Sequence, residues 1–291
     1  MPDDFNYPTL PGLLLATDLS ARCDRPLERA KQLAGEFNVP LDVLTVAEAP
    51  QVPGEVLEWL DGDAGQDREQ HAARTELARE FDGAGLQVHP RFAGGQVDDA
   101  ILETAAALPG YLVVTGTSRK ETLGHLILGS TVERLARNLA QPLLVVRRRV
   151  RGPYRSVLVA TDCTPAARLA LRTAARMFPD RRIVAYHAHA HAGLDARDEG
   201  ATAQARVEQF IDECGLAPGA RANVMAVVAG GKLEALLTRY VRDNDIDLAV
   251  LGLQAEPALK KLLMGSRSEH LLQDFICDTL LVPAGAQHGD G

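Results

Sequence analysis

The sequence predicts an α/β protein of two tandem doubly wound domains, each with a five-stranded, mainly parallel, Rossmann-like sheet. Two observations predict it: blocks of sequence recur in the same order in both halves, and apolar β-branched runs alternate with helical stripes throughout. LLLATDLS (13–20) matches SVLVATDCT (156–164), so Asp18 corresponds to Asp162, an offset of 162 − 18 = 144. FAGGQVDDAIL (92–102), YLVVTG (111–116) and LILGSTVERL (126–135) match VAGGKLEALL (228–237), DLAVLG (247–252) and LLMGSRSEHL (262–271) at an offset of 252 − 116 = 136. The second copy has thus lost eight residues, net, after its first strand; the stretch opposite 51–65 is the expected place. The repeat sets domain limits of 1–149 and 150–291.

Bulk properties agree. The chain of 291 residues is long enough for two domains with a core each, and 46% hydrophobic with 24% charged residues fits a folded chain. A net charge of −8 argues against a nucleic-acid partner, because phosphate backbones attract basic surfaces, yet a local cluster of donors can still hold one phosphate ligand. Cys23, Cys163, Cys214 and Cys277 are too scattered for a disulfide framework. The opening MPDDFNYPTLPG is acidic and proline-rich, unlike a signal peptide, and no apolar run approaches a membrane span, so the expected location is the cytoplasm.

Strands are expected at 12–17, 41–47, 86–92, 111–116 and 142–147, then at 156–161, 182–188, 222–228, 247–252 and 279–283. Helices fill the gaps. Thr164 is a good N-cap with Pro165 at the first helical position, and Leu171, Ala174, Ala175 and Phe178 form one stripe. Ser20 is expected to cap the matching helix, whose stripe is Leu27, Ala30, Ala34 and Phe37. The basic stretch 147–156, with Gly152 and Pro153, is expected to be a solvated linker.

Two features can carry chemistry. After the fourth strand each half runs from a glycine (Gly116, Gly252) to a Gly-Ser pair (Gly129 and Ser130, Gly265 and Ser266) with glutamate three residues on. That is a capping box opening a helix, whose N–H groups and dipole favour an anion. Taken alone, Gly-Ser is simply a good helix start. An aspartate ends the first strand in each half (Asp18, Asp162), and strands one and four flank the switch point where doubly wound sheets take ligands.

Universal stress proteins end their first strand in a motif like V-A-T-D-G-S and carry G-x2-G-x9-G-(S/T) after the fourth; each half resembles them, matching at Gly116, Gly129 and Ser130 or at Gly252, Gly265 and Ser266, and the resemblance spans nearly the whole chain twice. It implies an adenine nucleotide alpha-hydrolase-like fold and a ligand that is ATP or a related adenine nucleotide. Its adenine would lie near Asp18 or Asp162, and its phosphates near Gly116, Gly129 and Ser130, or Gly252, Gly265 and Ser266. Arg119 and Ala255 stand where the family's second glycine is expected. Arg119 either closes the loop or pairs with the phosphate as a bidentate donor. The family's last strand pairs with its copy in a dimer, so this chain is expected to form an intramolecular pseudo-dimer; whether whole chains pair into a homodimer is left open.

His187, His189 and His191 alternate in YHAHAH, which on a strand puts three imidazoles on one face, a potential zinc set with Cys163 nearby. The competing expectation is a histidine with no metal. Cys23, flanked by Arg22 and Arg25, is a better thiolate candidate than Cys163, which lies beside Asp162, but an inert thiol is the leading expectation for it. No P-loop, HExxH, GxSxG or GxGxxG pattern is present. The leading expectation is a non-enzymatic stress or regulatory protein that binds adenine nucleotide. Against it stand an enzyme such as a slow ATPase, and an interaction module that has lost its ligand.

Overall fold

A computed structural model describes residues 10–20, 23–47, 62–117, 121–122, 125–126, 130–189, 196–253 and 276–284. The chain forms two compact units, 1–116 and 117–291. The first contains β1 (Leu13–Thr17), α1 (Asp24–Phe37), β2 (Leu41–Ala47), α2 (Gly62–Glu80), β3 (Val88–Gly94), α3 (Val97–Ala106) and β4 (Leu112–Gly116). Its strands lie in the order β4-β1-β2-β3 and are all parallel. The chain steps outward from β1 through β2 to β3, then returns to β1's other side with β4. That reversal makes the gap between β1 and β4 the switch point. Leu13, Leu14, Leu15, Val113 and Val114 are fully buried, as continuous apolar runs should be when a parallel sheet is covered on both faces.

The second unit opens with a short ribbon of β5 (Glu121–Thr122) and β6 (His125–Leu126), then α4 (Ser130–Asn138) and β7 (Leu143–Val146). The second repeat follows: β8 (Ser156–Ala160), α5 (Pro165–Met177), β9 (Arg182–His189), α6 (Ala196–Glu213), α7 (Pro218–Ala222), β10 (Val224–Gly230), α8 (Leu233–Asp243), β11 (Leu248–Leu253) and β12 (Asp278–Pro283). Strand order is β10-β9-β8-β11-β12-β7, parallel except for the last pair. The ten expected strands are all present. The units divide ahead of residue 149 because β7, which ends the first repeat, pairs with β12.

That pairing is centred on Leu280 opposite Leu144, flanked by Thr279 opposite Val145 and Leu281 opposite Leu143. Since 280 − 144 = 136, each residue meets the neighbourhood of its own repeat equivalent, and a local two-fold axis runs between the strands. Both strands are buried, which removes two apolar edges from solvent.

The register also locates the missing residues. Leu13 pairs with Leu41 and Val157 with Ile183, while Leu41 pairs with Val88 and Ile183 with Val224. The repeat offset is therefore 157 − 13 = 144 at the first strand, 183 − 41 = 142 at the second and 224 − 88 = 136 at the third. Six of the eight residues are lost between the second and third strands, around the expected stretch, and two before the second strand.

Two expectations are corrected. The Thr164 cap is present, its hydroxyl accepting from Ala167 N–H, but Ser20 does not cap α1. That helix begins at Asp24 with Cys23 at its N-cap. Pro26 is the reason: a helix starting after Ser20 would bury Pro26 in its second turn, where an N–H must donate to the carbonyl four residues back. Starting at Asp24 puts Pro26 in the first turn, where no such bond is needed. The basic linker is likewise no free connector. Asp278, fully buried, accepts from the Arg147 N–H (2.7 Å), the Arg148 N–H (2.9 Å) and the Tyr154 hydroxyl (2.6 Å). Asp247 accepts from the Arg155 and Ser156 N–H groups. Arg147 and Tyr154 are buried, and Tyr154 meets Phe178 edge to face.

Candidate ligand site

The first strand of each repeat ends in the same loop, atom for atom. Thr17 Oγ1 accepts from Leu19 N–H and Asp18 Oδ1 from Ser20 N–H, at 3.0 and 2.9 Å. Thr161 Oγ1 accepts from Cys163 N–H and Asp162 Oδ1 from Thr164 N–H, at 3.0 and 3.1 Å. The middle residue is left-handed in both, with φ of 55° at Leu19 and 65° at Cys163. This is the place where the V-A-T-D-G-S motif has glycine, and the dihedral explains that glycine. Leu19→Gly and Cys163→Gly should each stabilise the fold by about 0.5–1 kcal/mol, the left-handed cost less the entropy of a glycine. Urea midpoints would show it; a loss of stability in both variants would contradict the assignment.

Both aspartates are exposed at the carboxyl edge of the sheet. Leu15 pairs with Val114 and Ala160 with Leu251, so the continued register sets Thr17 level with Gly116 and Thr161 level with Gly252. The structure thus brings Asp18 beside Gly116, and Asp162 beside Gly252, at the switch points. It also gives these glycines a packing role. A Cβ on Gly252 would lie 2.2 Å from the Ala166 carbonyl oxygen in the first turn of α5, and one on Gly116 would lie 3.3 Å from Pro26 Cγ. Ser130 is the first residue of α4. Arg119, Gly129, Gly265, Ser266 and Ala255 lie outside the described residues.

His187 is 5% exposed. Its Nδ1 is 2.7 Å from the Thr161 carbonyl oxygen, and its Nε2 is 2.7 Å from Arg206 Nη2. A carbonyl only accepts and a guanidinium only donates. The ring therefore carries its proton on Nδ1 and accepts at Nε2, so both nitrogens are engaged by the protein. His189 is the last residue of β9 and its carbonyl accepts from Gly231 N–H; His191 lies outside the described residues. Among the described residues no group of three or more His, Cys, Asp or Glu is placed to hold a metal ion.

Cys23 fits the expectation of an inert thiol over that of a thiolate. Its thiol donates to Asp18 Oδ1 at 3.1 Å, and burial, with the carboxylate, pushes its pKa up rather than down. Burial also raises Cys214 to about 11 and Cys277 to about 12. A disulfide reagent at pH 8 should spare these two in the folded protein and titrate all four after unfolding; rapid native labelling of Cys277 would contradict the packing around β12.

The surroundings of three residues were not legible in the sequence. Arg206 sits on a helix face that looks merely solvated. Thr45 and Ser20 have side-chain oxygens that are buried without a hydrogen-bond partner among the described residues. Pro26 was the readable signal for Ser20, since it fixes where α1 starts.

Known proteins agree with this architecture. The sequence pattern of the Universal stress protein family matches residues 12–147 and again 153–283. A universal stress protein of Methanocaldococcus jannaschii is 28% identical over 146 residues, covering 47% of this chain and 81% of that protein. Among solved structures, a universal stress protein from Archaeoglobus fulgidus superposes with a TM-score of 0.70 at 19% identity, over 97% of this chain and 99% of that one. A functionally unknown protein from Pseudomonas aeruginosa PAO1 gives a TM-score of 0.67 at 19% identity, over 94% and 92%. At such identity these structures speak for the fold. No described helix is long and apolar enough to cross a membrane. With the family pattern matched once in each repeat, the chain belongs to the Universal stress protein family as a tandem member.

Proposed function

We propose that this chain is a non-enzymatic stress-response or regulatory protein of the cytoplasm that receives ATP or a related adenine nucleotide at the carboxyl edge of its sheet. The observation that carries the reading is the duplicated Thr-Asp loop, held in one geometry at the switch point of each repeat. Doubly wound sheets take ligands there, and the family resemblance adds the adenine chemistry. In the first repeat Asp18 is the adenine-side acceptor, next to Gly116. The repeats, 1–149 and 150–291, act as an intramolecular pair joined through β7 and β12, and the local two-fold at Leu144 and Leu280 supports that reading.

Acid extraction of the purified protein followed by mass spectrometry tests the ligand. An adenine nucleotide released in stoichiometric amount supports the proposal. One observation favours a second reading, an interaction module without ligand: Gly252 is explained by helix packing alone. Repeated absence of nucleotide, with no signal on adding ATP, would select that reading.

A further inference from the structure

The two repeats differ at the places where a ligand would sit, and they differ consistently. Ser20 corresponds to Thr164 (164 − 20 = 144), and Thr45 to His187 (187 − 45 = 142). In the second repeat both are satisfied. Thr164 Oγ1 donates to Asp162 Oδ1 at 2.6 Å and accepts from Ala167 N–H at 3.4 Å, and His187 bridges Thr161 to Arg206. In the first repeat neither is. Ser20 Oγ and Thr45 Oγ1 are buried with no hydrogen-bond partner among the described residues. Thr45 pairs in register with Thr17, the residue before Asp18, so both orphan hydroxyls flank the Asp18 loop.

Each difference has a cause in the sequence. Pro26 delays the start of α1, and the Cys23 N–H, three residues on from Ser20, donates to the Ser20 carbonyl (2.8 Å) and not to its hydroxyl. Threonine at 45 is shorter than an imidazole and cannot span from β1 to a helix as His187 does. A buried hydroxyl without a partner costs about 1–3 kcal/mol, and such groups are found where a ligand or water completes the set. At the two equivalent positions of the second repeat no described side chain is left to complete, because Thr164 bonds Asp162 and the Arg206 guanidinium on α6 closes the chain of hydrogen bonds over His187.

We propose that the site is asymmetric: the first repeat binds one adenine nucleotide per chain, with Ser20 and Thr45 as its polar partners, and the second is closed by the His187–Arg206 clamp. This rests on the nucleotide reading above. Calorimetric titration of the full chain with ATP should give a stoichiometry of one. Asp18→Ala should abolish the heat and Asp162→Ala should leave it unchanged. Thr45→Val and Ser20→Ala should each weaken binding about tenfold, the worth of one hydrogen bond to a buried site. Arg206→Ala, a substitution on an exposed side chain, should add a second, weaker site. A stoichiometry of two in the native protein, or binding lost with Asp162→Ala and kept with Asp18→Ala, would overturn the asymmetry while leaving nucleotide binding intact. An unchanged stoichiometry with Arg206→Ala, circular dichroism confirming the fold, would overturn the clamp. No heat at all in the native protein would remove the nucleotide reading and the inference with it.

Discussion

Gly252→Ala is expected to destabilise the second unit by about 3 kcal/mol, while Gly116→Ala, its repeat equivalent, should cost less than about 1 kcal/mol. The added methyl would meet the Ala166 carbonyl oxygen at 2.2 Å, a backbone atom of α5 that moves only if the helix lifts off β11. The same methyl at Gly116 meets a proline ring carbon at 3.3 Å, which a few tenths of an ångström of adjustment relieves. Urea unfolding followed by circular dichroism would separate the two variants. Equal, small effects would mean that α5 does not lie against β11 as described, and that the glycine is kept for a ligand.

Asp278→Ala should cost about 3 kcal/mol or more. The carboxylate is fully buried and serves two backbone N–H groups and the Tyr154 hydroxyl. Removing it orphans three donors, two of them buried away from water, and each buried orphan costs about 1–3 kcal/mol before relaxation. Asp278→Asn keeps two acceptor positions at most and should fall between. Because the donors lie on the stretch between the repeats, the same change should speed proteolysis within 147–155. A native-like midpoint for Asp278→Ala, with unaltered cleavage, would show that this stretch is held by something else.

The fold was legible because duplication and periodicity reinforce each other. A parallel strand buried on both faces must be an apolar run, and two copies of five such runs leave little freedom in topology. What the sequence hid were distances. Asp278 reads as the polar residue before a strand, and nothing in RRRVRGPYRS says that an aspartate 130 residues away will hold it. His187 reads as one of three alternating histidines, which suggests a metal. Its partners, a carbonyl and an arginine on another helix, are set by packing that no local pattern records. Ser20 differs in that its signal is local: a helix capped there would carry Pro26 in its second turn, and Pro26 moves the start to Asp24. Asp18 and Asp162 stand out in the sequence because the repeat marks them twice.

The central claim is that an adenine nucleotide sits beside Asp18, and photolabelling with 8-azido-ATP tests it most directly. On irradiation of the native chain and peptide mapping, we expect saturable labelling, blocked by excess ATP, in the peptides that carry Asp18 and Thr45, and none in those carrying Asp162 and His187. Labelling that does not saturate, or that ATP fails to block, would contradict the claim.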